Sequence, residues 1–175
     1  MKPVILLTGP VGAGKSTIAK ELVDLSNAPV AHIEGDLFWN FFAKVGEDNT
    51  RRKNFKIAIS SMLAAALPFA MSNYEVVLDF SIPPDFLEAA HRIISSRGVP
   101  LHFVVIRPPQ EVCASRAALR EEGRIDDYAP YADLYQAFDG FEAHSLDNAS
   151  ISPAELAQQI RAGLNEQRFR IAPPS

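Results

Sequence analysis

Val4-Ile5-Leu6-Leu7-Thr8-Gly9-Pro10-Val11-Gly12-Ala13-Gly14-Lys15-Ser16-Thr17 is the stretch that decides the fold. Its first four residues form a short, uninterrupted apolar run closed by Thr8-Gly9, the habit of a strand buried on both faces of a parallel sheet. From Gly9 to Ser16 the chain fits G-x-x-x-x-G-K-[ST] at every fixed position. Beyond it, Ile18, Leu22 and Leu25 recur at helical spacing, with Lys20 and Glu21 turned outward. A strand, a glycine loop and a helix in that order make the surroundings in which this pattern cradles phosphate. Small residues at 12–14 let backbone N–H groups converge on one concavity, and the helix start adds free donors and its dipole. Gly9, Val11, Gly12, Ala13, Gly14, Lys15, Ser16 and Thr17 are thus the candidate nucleotide-binding residues. Lys15 would neutralise the β- and γ-phosphates, and the Ser16 hydroxyl would ligate Mg²⁺.

Outward from the loop, strands alternate with helices. Val30–Ile33 reads as a second strand, and the apolar positions Phe55, Ile59, Met62, Leu63 and Ala66 mark one face of a long helix over Arg51–Met71. Tyr74–Asp79 is a third strand, Leu101–Ile106 a fourth, and Phe141–Leu146 a weaker fifth. Between them, Pro83-Pro84 opens a helix that Gly98 stops, and Pro108-Pro109 starts another. Ser152-Pro153-Ala154-Glu155 is a capping box ahead of Leu156, Ile160 and Leu164. The alternation predicts an α/β fold, a parallel sheet with helices on both faces. One domain over residues 1–167 is expected, followed by a flexible tail over 168–175.

Composition narrows the class. The 175 residues, 47% hydrophobic and 22% charged, suit one globular domain. A formal charge of -4 gives no general basic surface for nucleic acid or an anionic membrane. Cys113 is the sole cysteine, so there is neither an intramolecular disulfide nor a thiolate metal cluster, and it reads as an inert packing residue. His32, His91, His102 and His144 lie far apart and read as structural or solvent-facing. The short N-terminal apolar run is no signal peptide, and a cytoplasmic location is expected.

Three further groups carry candidate chemistry. Glu34-Gly35-Asp36 follows the second strand. In an open α/β sheet its carboxylates would share a crevice with the glycine loop. Asp36 is the candidate group to accept or orient a substrate hydroxyl, the alternative being a helix cap, and Glu34 is a candidate Mg²⁺ ligand. Asp79 ends the third strand, where it would serve metal, substrate or a simple turn. Arg51 and Arg52 open the long helix, either as anchors for an anionic substrate or as a solvated face. Phe38, Trp39, Phe41 and Phe42 lie beside them, for ring stacking or for the core.

The loop together with His32-Ile33-Glu34-Gly35-Asp36 resembles the small P-loop kinases: shikimate kinase, gluconate kinase, chloramphenicol phosphotransferase and the nucleoside monophosphate kinases. Arg116-x-x-x-Arg120 with Glu121-Glu122-Gly123-Arg124 resembles their helix and mobile lid. The resemblance implies a three-layer α/β/α P-loop NTPase fold with a five-stranded parallel sheet and a short lid near 116–130. It implies Lys15, Asp36, Arg116, Arg120 and Arg124 as catalytic groups, Ser16, Glu34 and Asp79 as metal ligands, and Asp36, Arg51, Arg52 and Asp79 on the substrate. It further implies an adenine-contacting loop near 147–150. ATP and Mg²⁺ are the expected cofactors. The expected partner is a small acceptor of anionic or aromatic character, taken by a monomer or homodimer. A nucleotide-sensing ATPase module without an acceptor is the alternative, and polynucleotide end phosphorylation is disfavoured by the charge. No guanine-reading Asn-Lys-x-Asp segment occurs.

Overall fold

The computed structural model describes residues 1–46 and 50–172. Five parallel strands form one sheet in the order β2-β3-β1-β4-β5: β1 Val4–Thr8, β2 Val30–Glu34, β3 Glu75–Asp79, β4 Leu101–Ile106 and β5 Ser145–Leu146. The first strand sits in the middle, registered against β3 from Val4↔Val76 and against β4 from Val4↔Leu101. The chain moves out to β2, returns to β3 and then crosses to β4. That reversal opens a crevice at the carboxyl ends of β1 and β3.

Alternation of side chains along the strands separates two cores. Val4, Leu6, Val76, Leu78, Phe103 and Val105 point to one face. There they meet α2 (Arg51–Met71) through Ala58, Ile59, Met62, Leu63, Ala66 and Ala70, and α3 (Leu87–Ser95) through Ala90 and Ile94. Ile5, Leu7, Val77, Val104 and Ile106 point to the other face. That side is covered by α1 (Lys15–Asp24), α4 (Gln110–Ala118) and α6 (Pro153–Asn165). A short α5 spans Ala132–Gln136. Helix α2 is long and apolar enough to cross a membrane by length and composition, but its apolar stripe here is packed against the sheet.

Three expectations are corrected. The fifth strand is only Ser145–Leu146, because Glu142–His144 turn as a 3-10 segment before it. The residues after α6 do not fray as far as they are described: Phe169 is fully buried. Arg170 bridges His102 antiparallel on the free half of the β4 edge, with Phe103 N donating to Phe169 O at 2.8 Å. A buried aromatic and two borrowed sheet hydrogen bonds explain why the chain is held there. Residues 173–175 of the expected tail lie outside the described residues. Finally, α4 ends at Ala118, so Arg120 lies past the helix that carries Arg116 rather than on it.

Candidate active site

The glycine loop crosses from β1 to α1 at the mouth of the crevice. Gly9, Gly12 and Gly14 have φ of +144°, +84° and +89°, conformations that L side chains rarely adopt. Space forbids a side chain as well, since a Cβ at Gly9 or Gly12 would lie 2.1 Å from a backbone carbonyl, of Ile106 and Cys113 respectively. Gly9 and Ala13 are buried and support the loop, while Val11, Gly12, Gly14, Lys15, Ser16 and Thr17 line the cleft in front of it.

Lys15 is half-buried, and its Nζ donates to the Pro10 carbonyl at 3.0 Å. Burial first, then the nearby Arg120 guanidinium, pulls its pKa down to about 8. The ammonium therefore stands ready for an anion that would relieve both effects.

The cleft holds about 960 Å³ and runs without interruption from the glycine loop to a second wall. That wall carries Asp36, Trp39, Arg51, Arg52, Phe55, Asp79, Phe80, Ser81 and Phe86. Asp36 sits inside a 3-10 segment over Gly35–Phe41 and is exposed to the cleft. Glu34, not Asp36, stands at the cap position of that segment, and no side-chain cap hydrogen bond is made there, so the capping alternative is not what the structure displays. Gly35 is needed for close approach rather than for flexibility: a Cβ there would meet Phe80 at 2.5 Å. Phe55 is the centre of the aromatic wall, with ring centroids 5.4 Å from Phe80, 5.4 Å from Phe86 and 6.1 Å from Trp39. Phe38 and Phe42 are half-buried against the core, whereas Phe41 is exposed. Thr8 fixes the floor, its hydroxyl donating to Ile82 O at 2.8 Å and accepting from Ile82 N at 2.9 Å.

Asp79 is buried at the end of β3 and lines the cleft, and its Oδ1 pairs with His32 Nε2 at 2.9 Å. That hydrogen bond raises the His32 pKa above its ordinary value. His32 is the neighbour that sequence reasoning missed. Only the register of β2 on β3, Glu34 opposite Asp79, brings a residue two positions earlier within reach.

The expected arginines separate. Arg51 and Arg52 both reach the cleft, Arg52 also pairing with Asp85 at 3.0 Å and lying 5.7 Å from the Phe86 ring centre. Arg116 and Arg120 line it beside the glycine loop. The Arg116 guanidinium is engaged by Asn148, with NH1 3.0 Å from Oδ1 and NH2 3.0 Å from the backbone O. Arg124 is not brought in; it is exposed and bonded to Asp126 at 2.7 Å. Glu34 is exposed and outside the cleft lining, so the metal role expected of it has no support in this arrangement. Ser16 and Asp79 remain as groups able to hold Mg²⁺. One hydroxyl and one carboxylate fit that ion, which takes few protein ligands when phosphates supply the rest. No cluster of three or more His, Cys, Asp or Glu residues suited to a metal occurs among the described residues.

The family model for the AAA domain matches residues 4–144, most of the chain. The chain belongs to that family. Among solved structures, this AAA domain protein is similar to the tunicamycin resistance protein of Deinococcus radiodurans. The two are 21% identical with a TM-score of 0.73, over 99% of this chain and 100% of that one. It is similar to the Mycobacterium tuberculosis APS kinase solved with AMPPNP and APS: 17% identity, TM-score 0.70, 94% and 98% covered. It also resembles shikimate kinase from Acinetobacter baumannii in complex with shikimate: 20% identity, TM-score 0.62, 95% of each chain covered. The AAA domain protein thus has the three-layer fold that small P-loop kinases share. No curated protein matches it by sequence.

Proposed function

We propose that the protein is an ATP-dependent small-molecule kinase. The observation that carries this reading is the single cleft of about 960 Å³. It joins a phosphate loop at one end to Asp36, two arginines and an aromatic wall at the other. A site for nucleotide alone would not need the second wall, and small-molecule pockets run about 300–1,000 Å³. Relatives of the same fold supply parallels, since APS kinase was solved with AMPPNP and APS, and shikimate kinase with shikimate.

In the proposed reaction the acceptor oxygen attacks the γ-phosphorus of ATP. A bond forms between them, the bond to the β,γ-bridging oxygen breaks, and ADP leaves. Asp36 takes the hydroxyl proton or orients the hydroxyl. Lys15 and Arg120, with positive charge beside the loop, stabilise charge on the transferring group. Mg²⁺, when bound by Ser16 and Asp79, supplies further charge neutralisation. The acceptor itself is expected to be anionic and ring-bodied. Arg51 offers the cation, whereas Trp39, Phe55, Phe80 and Phe86 offer little to a polyol and much to a flat ring. A lone, buried cysteine suits the cytoplasmic setting this chemistry implies.

The test is ADP release from Mg²⁺-ATP across nucleosides, nucleotides, sugar acids, shikimate-like acids and antibiotics, with Lys15→Ala and Asp36→Asn alongside. One acceptor class should raise turnover well above background, and both substitutions should abolish the rise. Binding of ATP with no acceptor response, and no effect of Asp36→Asn, would replace this reading with a nucleotide-sensing module.

A further inference from the structure

The phosphate loop is gripped from behind by side chains that belong to distant parts of the chain. Tyr128 Oη donates to the Val11 carbonyl at 2.7 Å. Asn148 Nδ2 donates to the Ala13 carbonyl at 3.0 Å, across 135 residues of sequence. Both side chains belong to buried residues, 8% and 7% exposed. Arg116 sets the direction of the Asn148 amide. A guanidinium can only donate, so its bond to Oδ1 leaves Nδ2 facing Ala13. Arg116 NH1 also approaches the Ala13 carbonyl, at 3.5 Å.

These bonds matter because of peptide geometry. In a planar trans peptide, the C=O of one residue and the N–H of the next point in opposite directions. No cis peptide occurs among the described residues, the loop included. Drawing the Val11 carbonyl toward Tyr128 therefore aims Gly12 N–H the other way, and drawing the Ala13 carbonyl toward Asn148 does the same for Gly14 N–H. Gly12 and Gly14 both line the cleft. We propose that Tyr128 and Asn148 are positioning residues of the phosphate loop, fixing two carbonyls outward so that two N–H donors face the phosphates before nucleotide arrives. The proposal rests on the nucleotide-binding part of the kinase reading and extends it to residues outside the glycine motif.

The chemistry of each group suits the task. Burial pushes the Tyr128 hydroxyl well above its ordinary pKa, so it remains a donor at any working pH. A glycine-rich loop left unsupported would lose conformational freedom on binding, and that loss weakens affinity. Gly14 suits its place through its φ of +89°, which strains any other residue, while a Cβ there would lie in ordinary contact with Asn148 Nδ2 at 3.4 Å. The arrangement also alters the picture of the lid. Arg116 and Tyr128 flank the segment that carries Arg120, so both ends of that segment are fastened to the back of the phosphate loop. Between them Leu119 is 80% exposed, and Gly123 has nothing within 4 Å of a Cβ position.

The test is calorimetric titration of the full chain with tripolyphosphate, ATP and adenosine, for the wild type, Tyr128→Phe and Asn148→Leu, with Tm for each. Tyr128→Phe keeps the ring and deletes one hydroxyl, so it serves even if Asn148→Leu fails to fold. Loss of one such hydrogen bond should weaken tripolyphosphate and ATP about five- to ten-fold, with adenosine affinity essentially unchanged in Tyr128→Phe, whose side chain lies outside the 147–150 loop. A lower Tm with unaltered tripolyphosphate affinity would overturn the positioning role, as would an equal loss for adenosine in Tyr128→Phe. A wild type that binds neither tripolyphosphate nor ATP would instead sink the nucleotide reading itself.

Discussion

Lys15 and His32 show how a single residue takes its chemistry from its surroundings. Free Lys15 has its pKa lowered to about 8 by burial and then by Arg120. A bound triphosphate favours the charged form and raises that pKa again. Between the two values binding takes up a proton, so affinity for ATP should be flat below pH 8 with respect to Lys15. Above pH 8 it should fall by up to about ten-fold per pH unit. Titrations from pH 6.5 to 9.5 check this, and Lys15→Ala should remove the slope along with most of the affinity. The His32 pKa is raised by its hydrogen bond to Asp79. The folded state therefore holds that proton more tightly than the unfolded chain. The pair's contribution to stability should be complete below about pH 6.5, the ordinary histidine value, and lost as pH rises through the folded-state pKa. Denaturant midpoints of wild type and His32→Gln should differ most at pH 5.5 and converge toward pH 8.5.

Elements show the same contrast between local and distant control. Helix α6 begins as its sequence dictates: Ser152 Oγ accepts from Glu155 N at 3.2 Å, and Glu155 Oε2 accepts from Ser152 N at 2.9 Å. Ser152→Ala should cost about 1 kcal/mol of unfolding free energy, measured by denaturant titration, without effect on nucleotide affinity. Strand β5 and the end of α4 were less legible. The 3-10 turn over Glu142–His144 shortens the strand, and His144 Nδ1 lies 3.0 Å from Phe103 O. Long-range contacts of that sort override a local apolar pattern. Arg120 leaves the helix for a comparable reason, because the chain turns after Ala118 so that Ile125 N donates to Ala117 O at 3.1 Å.

At the scale of the molecule, the sheet is completed by the segment after α6. Phe169 fills the layer under α6, where a Cβ at Gly163 would come within 2.4 Å of its ring. Phe169→Ala should destabilise the fold by about 3–5 kcal/mol, the usual range for deletion of a buried ring. Truncation after Gln167 should do at least as much, as judged by Tm. An unchanged Tm for the truncated chain would mean that the segment contributes nothing to the core.

The sequence by itself determined the alternation of strands and helices, the phosphate loop and the capping box. Each is encoded by contiguous residues whose spacing acts within a few turns of chain. It also named most of the cleft: Lys15, Ser16, Asp36, Arg51, Arg52, Asp79, Arg116 and Arg120 all line the same space. What only the tertiary structure decided is which groups meet across the strand order. It joined His32 to Asp79 and placed Asn148 and Tyr128 behind the loop, while leaving Glu34 and Arg124 outside. The physical reason is that such contacts depend on strand register and on where helices end. Those are set by packing of residues far apart in the chain, which no local pattern records.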